Sequence, residues 1–274
     1  MKDFVDEYGQ VIVDECHHIS AFTFEQVIKQ VKARYVVGLT ATPTHKDGHH
    51  PIIHMQCGPI RFNMSPRTMT ETTPFEHKVI PRHTDFRMPA EMTDLTIQDV
   101  YAALVNDSAR NALIAADLKS ALEAGRSPLL LTGRKEHLEF FADAVEGFAT
   151  HIFVLKGGMG KKQRRTAAEA LAAVPETERR VIIATGSYIG EGFDDARLDT
   201  LFLAMPISWK GTLQQYVGRL HRLYDGKRVV QVYDYVDSNV AMLARMYERR
   251  LRGYAIIGYT VEQPVYASAA HATD

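Results

Sequence analysis

The chain has 274 residues, with 32 basic and 33 acidic side chains and 46% hydrophobic residues, a composition typical of globular proteins. A formal net charge of −1 excludes a polycationic protein, so any contact with nucleic acid must come from local basic patches. No apolar run reaches the ~18 residues of a membrane span, and at ~150 residues per domain the length favours two domains. The two cysteines cannot form a disulfide framework, which is typical of the reducing cytoplasm, where we expect this protein.

In chain order, the amino-terminal part predicts two strands around one helix, followed by an irregular stretch. Val11–Val13 is a short apolar run, and Tyr35–Leu39 is a second one. Between them, four apolar residues recur at helical spacing, namely Phe24, Val27, Ile28 and Val31. Residues 44–106 are rich in Pro, Thr, His and Met, which predicts an irregular segment with edge strands at most, near Ile60 and Val79.

The rest of the chain predicts a parallel sheet. Asp107 and Ser108 are a helix-start signal, and Gly125 ends the helix that follows. Five short apolar strands then alternate with amphipathic helices, at Leu129–Leu131, Ile152–Leu155, Val181–Ala184, Leu201–Leu203 and Val229–Tyr233. Apolar strands without polar alternation, separated by helices, indicate an α/β fold whose parallel sheet has helices on both faces. After Tyr259 the composition predicts a frayed tail.

Two adjacent acids, Asp14 and Glu15, directly follow the first apolar run. At the carboxyl edge of a parallel sheet, where α/β folds bind ligands, one carboxylate can hold magnesium through its water shell. The next can orient a water molecule for attack on a phosphate. Taken alone, the pair fits a strand-end turn with solvated side chains at least as well.

Three further segments follow in order: Gly38–Pro43 (GLTATP), Ala184–Asp194 (ATGSYIGEGFD) and Gln214–Arg222 (QQYVGRLHR). Together with Val11–His18 (VIVDECHH), this ordered set resembles the superfamily 2 helicases and translocases, in particular the DECH-box branch of restriction-enzyme motor subunits and repair helicases. In that family the four segments are motifs II, III, V and VI, and 129–137 (LLLTGRKEH) stands where motif IV belongs. The resemblance implies a P-loop-NTPase, RecA-like fold and ATP hydrolysis coupled to movement along, or unwinding of, nucleic acid. We expect the nucleic acid to be DNA rather than RNA, and the role of the protein to be in restriction, defence or repair.

The resemblance also implies a role for individual residues. Asp14 would hold Mg²⁺ through water, Glu15 would polarise the attacking water, and Arg219 and Arg222 would reach the γ-phosphate as arginine fingers. The implied nucleotide contacts are Gln215, Gly192 and Asp194; the coupling residues are Thr40 and Thr42; the implied nucleic-acid contacts are Thr132, Arg134 and Thr185.

Apart from the resemblance, the sequence itself places basic residues on one helical face and in two patches. On a helix through 213–222, the apolar face is Leu213, Tyr216, Val217 and Leu220, and the opposite face is Gln215, Gly218, Arg219 and Arg222. Guanidinium groups suit phosphate because they bind its oxygens in pairs. The stretch 156–165 (KGGMGKKQRR) places five cations where they can contact phosphates: Lys156, Lys161, Lys162, Arg164 and Arg165. A second candidate patch is Arg245, Arg249, Arg250 and Arg252, and a solvated surface explains either patch equally well.

The P-loop, G-x-x-x-x-G-K-[ST], does not occur in the sequence. The nearest candidate is 157–162 (GGMGKK). Position 155, where the first glycine of the motif belongs, is leucine, and Lys162 replaces Ser or Thr. We therefore expect a carboxy-terminal portion of a motor, in which ATP and Mg²⁺ bind only if a P-loop is supplied. Its predicted parts are a remnant of the first RecA-like domain (1–60), an irregular connection (61–106), the second RecA-like domain (107–258) and a flexible tail (259–274).

Two strands alone make an unstable sheet with open edges, so we expect residues 1 to about 60 to be covered by a protein partner, by the 60–100 segment, or by a second copy of the chain through self-association. Two other functions stay open. One is a non-catalytic nucleic-acid-binding module or subunit that needs a separate P-loop-bearing chain. The weaker one is a metal-binding protein using the cluster from His45 to Cys57, whose spacing matches no usual zinc signature.

Overall fold

The computed structural model describes residues 8–16, 26–40, 50–63, 65–89, 96–190, 193–207 and 210–263. The chain forms two compact units, which divide between residues 64 and 65 and are treated separately below.

The amino-terminal unit contains a two-stranded parallel sheet, an eight-residue helix and a helical stretch at 26–28, within the predicted helix whose Phe24 lies outside the described residues. Strand β1 (Gln10–Val13) pairs with β2 (Tyr35–Gly38), and helix α1 spans His50–Cys57. Both predicted strands are thereby confirmed. One face of the sheet contributes to a small core made by Val13, Cys16, Ile28 and Ile53. Ile12, Tyr35, Val37 and Leu39 are exposed apolar residues of the same two strands and their ends.

The carboxy-terminal unit contains seven parallel strands. They are β3 (Glu76–His83), β4 (Pro128–Thr132), β5 (His151–Leu155), β6 (Arg180–Thr185), β7 (Thr200–Leu203), β8 (Val229–Val236) and β9 (Thr260–Val261). Their spatial order is β5-β6-β4-β7-β8-β3-β9, and every pairing is parallel. All five strands predicted in this part are present, and the predicted α/β fold with a parallel sheet is confirmed.

Helices cover both faces of this sheet, as predicted. The helices are α2 (Pro66–Glu71), α3 (Ile97–Asn106), α4 (Ser108–Glu123), α5 (Lys135–Ala144), α6 (Lys161–Ala172), α7 (Gly186–Gly190), α8 (Lys210–Gly218) and α9 (Ala241–Ile257). Successive residues of β4 point to opposite faces, so Leu130 packs in one core layer with α4 and α5. Leu129 and Leu131 pack in the other layer, with residues of α6, α7, α8 and α9.

The segment 61–106 is not irregular, contrary to the prediction. It contains α2, α3 and the eight-residue strand β3, which lies between β8 and β9 and includes Val79, near which an edge strand was predicted. In β3 alternate residues are buried, among them His77 and Val79, a pattern that the proline-rich composition obscured. Among the described residues, β9 pairs only with Lys78 and Val79, so Pro81 has no described strand neighbour on that side, a position where proline is tolerated. Ile60 lies in no strand.

The predicted tail from residue 259 also begins too early. Tyr259 is buried and Thr260–Val261 form β9, whereas residues 264–274 lie outside the described ranges. The domain boundaries themselves stay a prediction. Among the described helices, none combines the length and apolar character that a membrane crossing requires.

Candidate functional site

Asp14 and Glu15 lie at the carboxyl end of β1, on an exposed turn. Glu15 has φ 50°, in the left-handed region that residues with side chains rarely adopt, and its amide donates to Asp14 Oδ1 at 2.9 Å. The Cys16 amide then donates to the Leu39 carbonyl at 2.9 Å, which ties this turn to the end of β2, beside Thr40. The acids and Thr40 thus follow the carboxyl ends of neighbouring strands, while Thr42 lies outside the described residues.

The second group of predicted residues lies at the end of α8. Leu213, Tyr216, Val217 and Leu220 are buried, which confirms the predicted apolar face, and Gln215 is exposed. The helix does not continue to Arg222, however. It tightens to a 3₁₀ turn at Arg219–His221, and Arg222 has an extended backbone, so the two arginines do not share a helical face.

The two arginines differ in their surroundings. Arg222 Nε donates to Asp194 Oδ1 at 3.0 Å, and both side chains are more than half exposed. Arg219 is half-buried, and its buried Nε has no acceptor among the described residues. The structure therefore brings Asp194 and Arg222 together, whereas Gly192 lies outside the described residues.

Two residues that the sequence did not indicate hold this turn in place. Lys227 Nζ donates to the carbonyls of Ala196, Leu220 and Arg222 at 2.7, 3.1 and 2.8 Å. Burial lowers the pKa of Lys227 to about 8. The ring of His221 turns inward, where its Nε2 shares a 2.9 Å hydrogen bond with the Tyr259 hydroxyl. Burial, helped by His77 and Lys227, lowers the pKa of His221 to about 4.

A groove of about 670 Å³ lies at the carboxyl ends of β4, β5 and β6. Its lining includes Thr185, the last residue of β6, and residues just after the three strands, among them Arg134, Lys135, Lys156, Gly157 and Ser187. The amide of Gly157 donates to Thr185 Oγ1 at 2.9 Å, and the hydroxyls of Thr185 and Ser187 are 3.2 Å apart. A Cβ at Gly157 would collide with Ser187 Oγ, so glycine permits this close approach of two loops. The groove is thus lined by cations and hydroxyls together with apolar residues such as Leu203, Met205 and Ile207.

The predicted nucleic-acid contacts are only partly brought together here. Arg134, Lys156 and Thr185 line the groove, and Arg134 also donates to Gln98 Oε1 at 2.7 Å. Thr132 lines it too but is only 3% exposed, and its hydroxyl is bonded to His137 Nδ1 at 2.9 Å. Burial lowers the pKa of His137 to about 3, so this pair is a neutral structural contact.

The other cations of the 156–165 stretch lie outside the groove. Lys161 and Lys162 are exposed in the first turn of α6. Arg164 lies over the Tyr188 ring at 5.2 Å, and Arg165 donates to Glu169 at 2.7 Å. The second candidate patch is not a continuous surface, because Arg250 is buried and donates to both carboxylate oxygens of Asp234 at 2.8 Å. Sequence spacing could not show which cations turn inward.

Two residues of the histidine-rich cluster, His45 and His49, lie outside the described residues. Within the described ranges, no three His, Cys, Asp or Glu side chains are arranged to hold a metal ion. The Sγ atoms of Cys16 and Cys57 each lie 2.9 Å from the position of a Cβ built on Gly38, and burial raises the pKa of both thiols.

The chain is similar to a restriction-enzyme subunit family and to viral and phage proteins named as helicases. The family model of the "Type III restriction enzyme, res subunit" matches residues 1–45. The chain is 26% identical to "Probable helicase D10" of Escherichia phage T5 over 269 residues, which cover 94% of this chain and 56% of that protein. The chain spans about half the length of the curated relatives it matches.

Solved structures share the fold. S. cerevisiae Dbp5 bound to RNA and ADP BeF3 matches with a TM-score of 0.61 and 11% identity, covering 94% of this chain and 60% of that one. The ATP-dependent Type ISP restriction-modification enzyme LlaBIII bound to DNA matches with a TM-score of 0.56 and 15% identity, covering 91% and 20%.

The parallel sheet, its helices and the groove at its carboxyl edge define the carboxy-terminal unit as RecA-like. The ordered motifs and the matches above support the resemblance of this chain to the helicases of superfamily 2.

Proposed function

We propose that the chain is part of an ATP-dependent helicase or translocase, and that the groove at the carboxyl ends of β4, β5 and β6 binds a nucleic-acid backbone. The observation that carries this proposal is the convergence of Arg134, Lys135 and Lys156 from two loops around the hydroxyls of Thr185 and Ser187. Cations, hydroxyls and backbone amides are the groups that contact phosphate and sugar in nucleic-acid complexes. The substrate is single-stranded, and DNA is preferred over RNA.

Each unit also carries residues suited to ATP chemistry. The exposed oxygens of Asp14 and Glu15 are the ligand type that Mg²⁺ prefers, and the turn presents them at the carboxyl end of a parallel strand. Arg219 has a buried N–H without an acceptor in the described part of the chain, the state in which an anion completes a hydrogen bond. We assign Asp14 to magnesium, Glu15 to the attacking water, and Arg219 and Arg222 to phosphate. Gln215 and Asp194 are assigned to the nucleotide, and Thr40 to coupling.

The groove is tested by binding of fluorescein-labelled single strands, measured by fluorescence anisotropy. The variant Arg134→Ala/Lys156→Ala should weaken binding by roughly tenfold or more, because two phosphate contacts are lost. The matched control is Arg179→Ala/Arg228→Ala, which removes two exposed cations that precede β6 and β8, at the opposite edge of the sheet. Equal weakening by both pairs would reduce the groove to general charge attraction.

A competition with unlabelled strands of one sequence tests the substrate. Single-stranded DNA should displace the label at lower concentration than RNA does. The fold does not decide between them, since one structural match holds RNA and another holds DNA. A clear preference for RNA would overturn the DNA assignment and leave the groove in place.

The alternative is a non-catalytic binding module, and it is favoured by the sequence lacking a P-loop. ATP hydrolysis by the purified chain, stimulated by single-stranded DNA and compared with Glu15→Gln, separates the possibilities. We expect no turnover above that variant until a P-loop-bearing segment or partner is added. Turnover that Glu15→Gln abolishes would show that phosphate is held without a P-loop.

A further inference from the structure

The two cysteines of the chain converge on one glycine in the amino-terminal unit. Cys16 follows the acidic turn after β1, Cys57 is the last residue of α1, and Gly38 is the last residue of β2. A Cβ built on Gly38 would lie 2.9 Å from each of the two Sγ atoms. The missing side chain of Gly38 thus leaves the space in which the sulfur atoms meet.

We propose that Cys16 and Cys57 form a reversible disulfide that ties the turn bearing Asp14 and Glu15 to the carboxyl end of α1. Because both sulfur atoms border the same empty position beside Gly38, rotations of the two side chains can bring them together. Both residues belong to one small core, with Val13 and Ile53.

The two cysteines differ in burial, so we assign them different steps of the oxidation. Cys16 is 2% exposed, whereas Cys57 is half-buried and open to a small oxidant. With glutathione disulfide as oxidant, Cys57 attacks one sulfur, forms a mixed disulfide and releases one glutathione. Cys16 then attacks Sγ of Cys57, and the second glutathione leaves. The two cysteine thiols are oxidised, the oxidant is reduced to two thiols, and these thiols carry away the two cysteine protons.

The disulfide would affect the candidate site through the backbone of the turn that carries Asp14 and Glu15. Cys16 directly follows Glu15, whose left-handed backbone sets the direction of its carboxylate. Fixing Cys16 Sγ to α1 limits the motion of that turn. The protein can therefore exist in two states that differ in the mobility of Asp14 and Glu15. An oxidant forms the disulfide state, and a reducing agent restores the dithiol state.

The purified chain should be incubated with glutathione disulfide and analysed by intact-mass spectrometry without reductant. The wild type should lose the mass of two hydrogen atoms, and a peptide linking Cys16 to Cys57 should appear after digestion. Dithiothreitol should reverse both changes. Hydrogen exchange of 10–16 should be slower in the oxidised form. A chain with two free thiols, with glutathione left on it, or linked only between molecules would overturn the proposal.

Two serine variants test the order of attack. In Cys16→Ser, one glutathione should stay attached to Cys57, because the resolving sulfur is gone. In Cys57→Ser, Cys16 should remain unmodified, because it is buried. Circular dichroism establishes that each variant is folded, and the wild-type result stands if either is not. Equal modification of the two variants in their folded state would overturn the assigned order.

Discussion

His221 lies between Arg219 and Arg222 in sequence, yet it packs inward against His77 and Tyr259. The two histidine rings are 4.9 Å apart, and burial lowers the pKa of each to about 4 from a usual value of 6.5. The unfolded chain therefore binds more protons than the folded one between pH 6.5 and 4. The stability that the neutral rings contribute is present above pH 6.5 and is lost as the pH falls towards 4.

Urea unfolding from pH 7.5 to 4.5 checks this prediction. His221→Gln keeps a hydrogen-bond acceptor for the Tyr259 hydroxyl but does not titrate, so its midpoint should fall less steeply than that of the wild type. Carboxylates also titrate in this range, and the difference between the two proteins removes their contribution. Identical slopes would show that the histidine pair does not titrate as its burial requires.

A second residue-scale prediction concerns Lys227, whose ammonium donates to three carbonyls around the arginine-bearing turn. Lys227→Met retains much of the apolar stem but leaves these carbonyls without their donor. We expect the free energy of unfolding to fall by about 1–3 kcal/mol. Arg228→Met, at the exposed next residue, should change it by less than about 0.5 kcal/mol. Equal losses of unfolding free energy for the two variants would contradict the role assigned to Lys227.

At the scale of elements, the contact of α7 with α8 depends on Gly186. A Cβ at this position would collide with the hydroxyl of Tyr216, which is buried in α8 and lines the groove. Gly186→Ala should cost about 1–3 kcal/mol by overpacking. Because Tyr216→Phe removes the colliding oxygen, the double variant should recover part of that loss. A double-mutant cycle in urea measures this coupling, and strictly additive losses would contradict the contact.

Elements also show what sequence could predict. The strands β4, β6 and β7 were recognisable because each is a short apolar run buried on both faces. Strand β3 was predicted only as an edge strand near Val79, without its full length, because its buried residues include His77, which reads as polar, and because Pro81 signals a break. The arginine turn was placed on a helix because helical spacing continues to Arg222, whereas the Lys227 contacts come from outside the local sequence.

At the scale of the molecule, the two units differ in the size of their cores. Leu129, Leu130 and Ile183 are fully buried in the seven-stranded sheet, whereas Ile12, Tyr35 and Val37 of the two-stranded sheet are exposed. Amides of β1 and β2 should therefore exchange with solvent much faster than those of β4 and β6. Exchange followed by mass spectrometry at two protein concentrations measures this. Slower exchange in β1 and β2 at high concentration would support self-association, and uniform protection at low concentration would contradict the difference in stability.

The salt dependence of single-strand binding tests the central claim, that the groove contacts a phosphate backbone, most directly. The logarithm of the binding constant should fall linearly with the logarithm of salt concentration, and its slope counts phosphate contacts. Lys156→Ala should reduce the magnitude of that slope by about 0.7, the value for one contact on a single strand. Arg228→Ala should leave it unchanged. Equal slopes for wild type and Lys156→Ala would contradict the account.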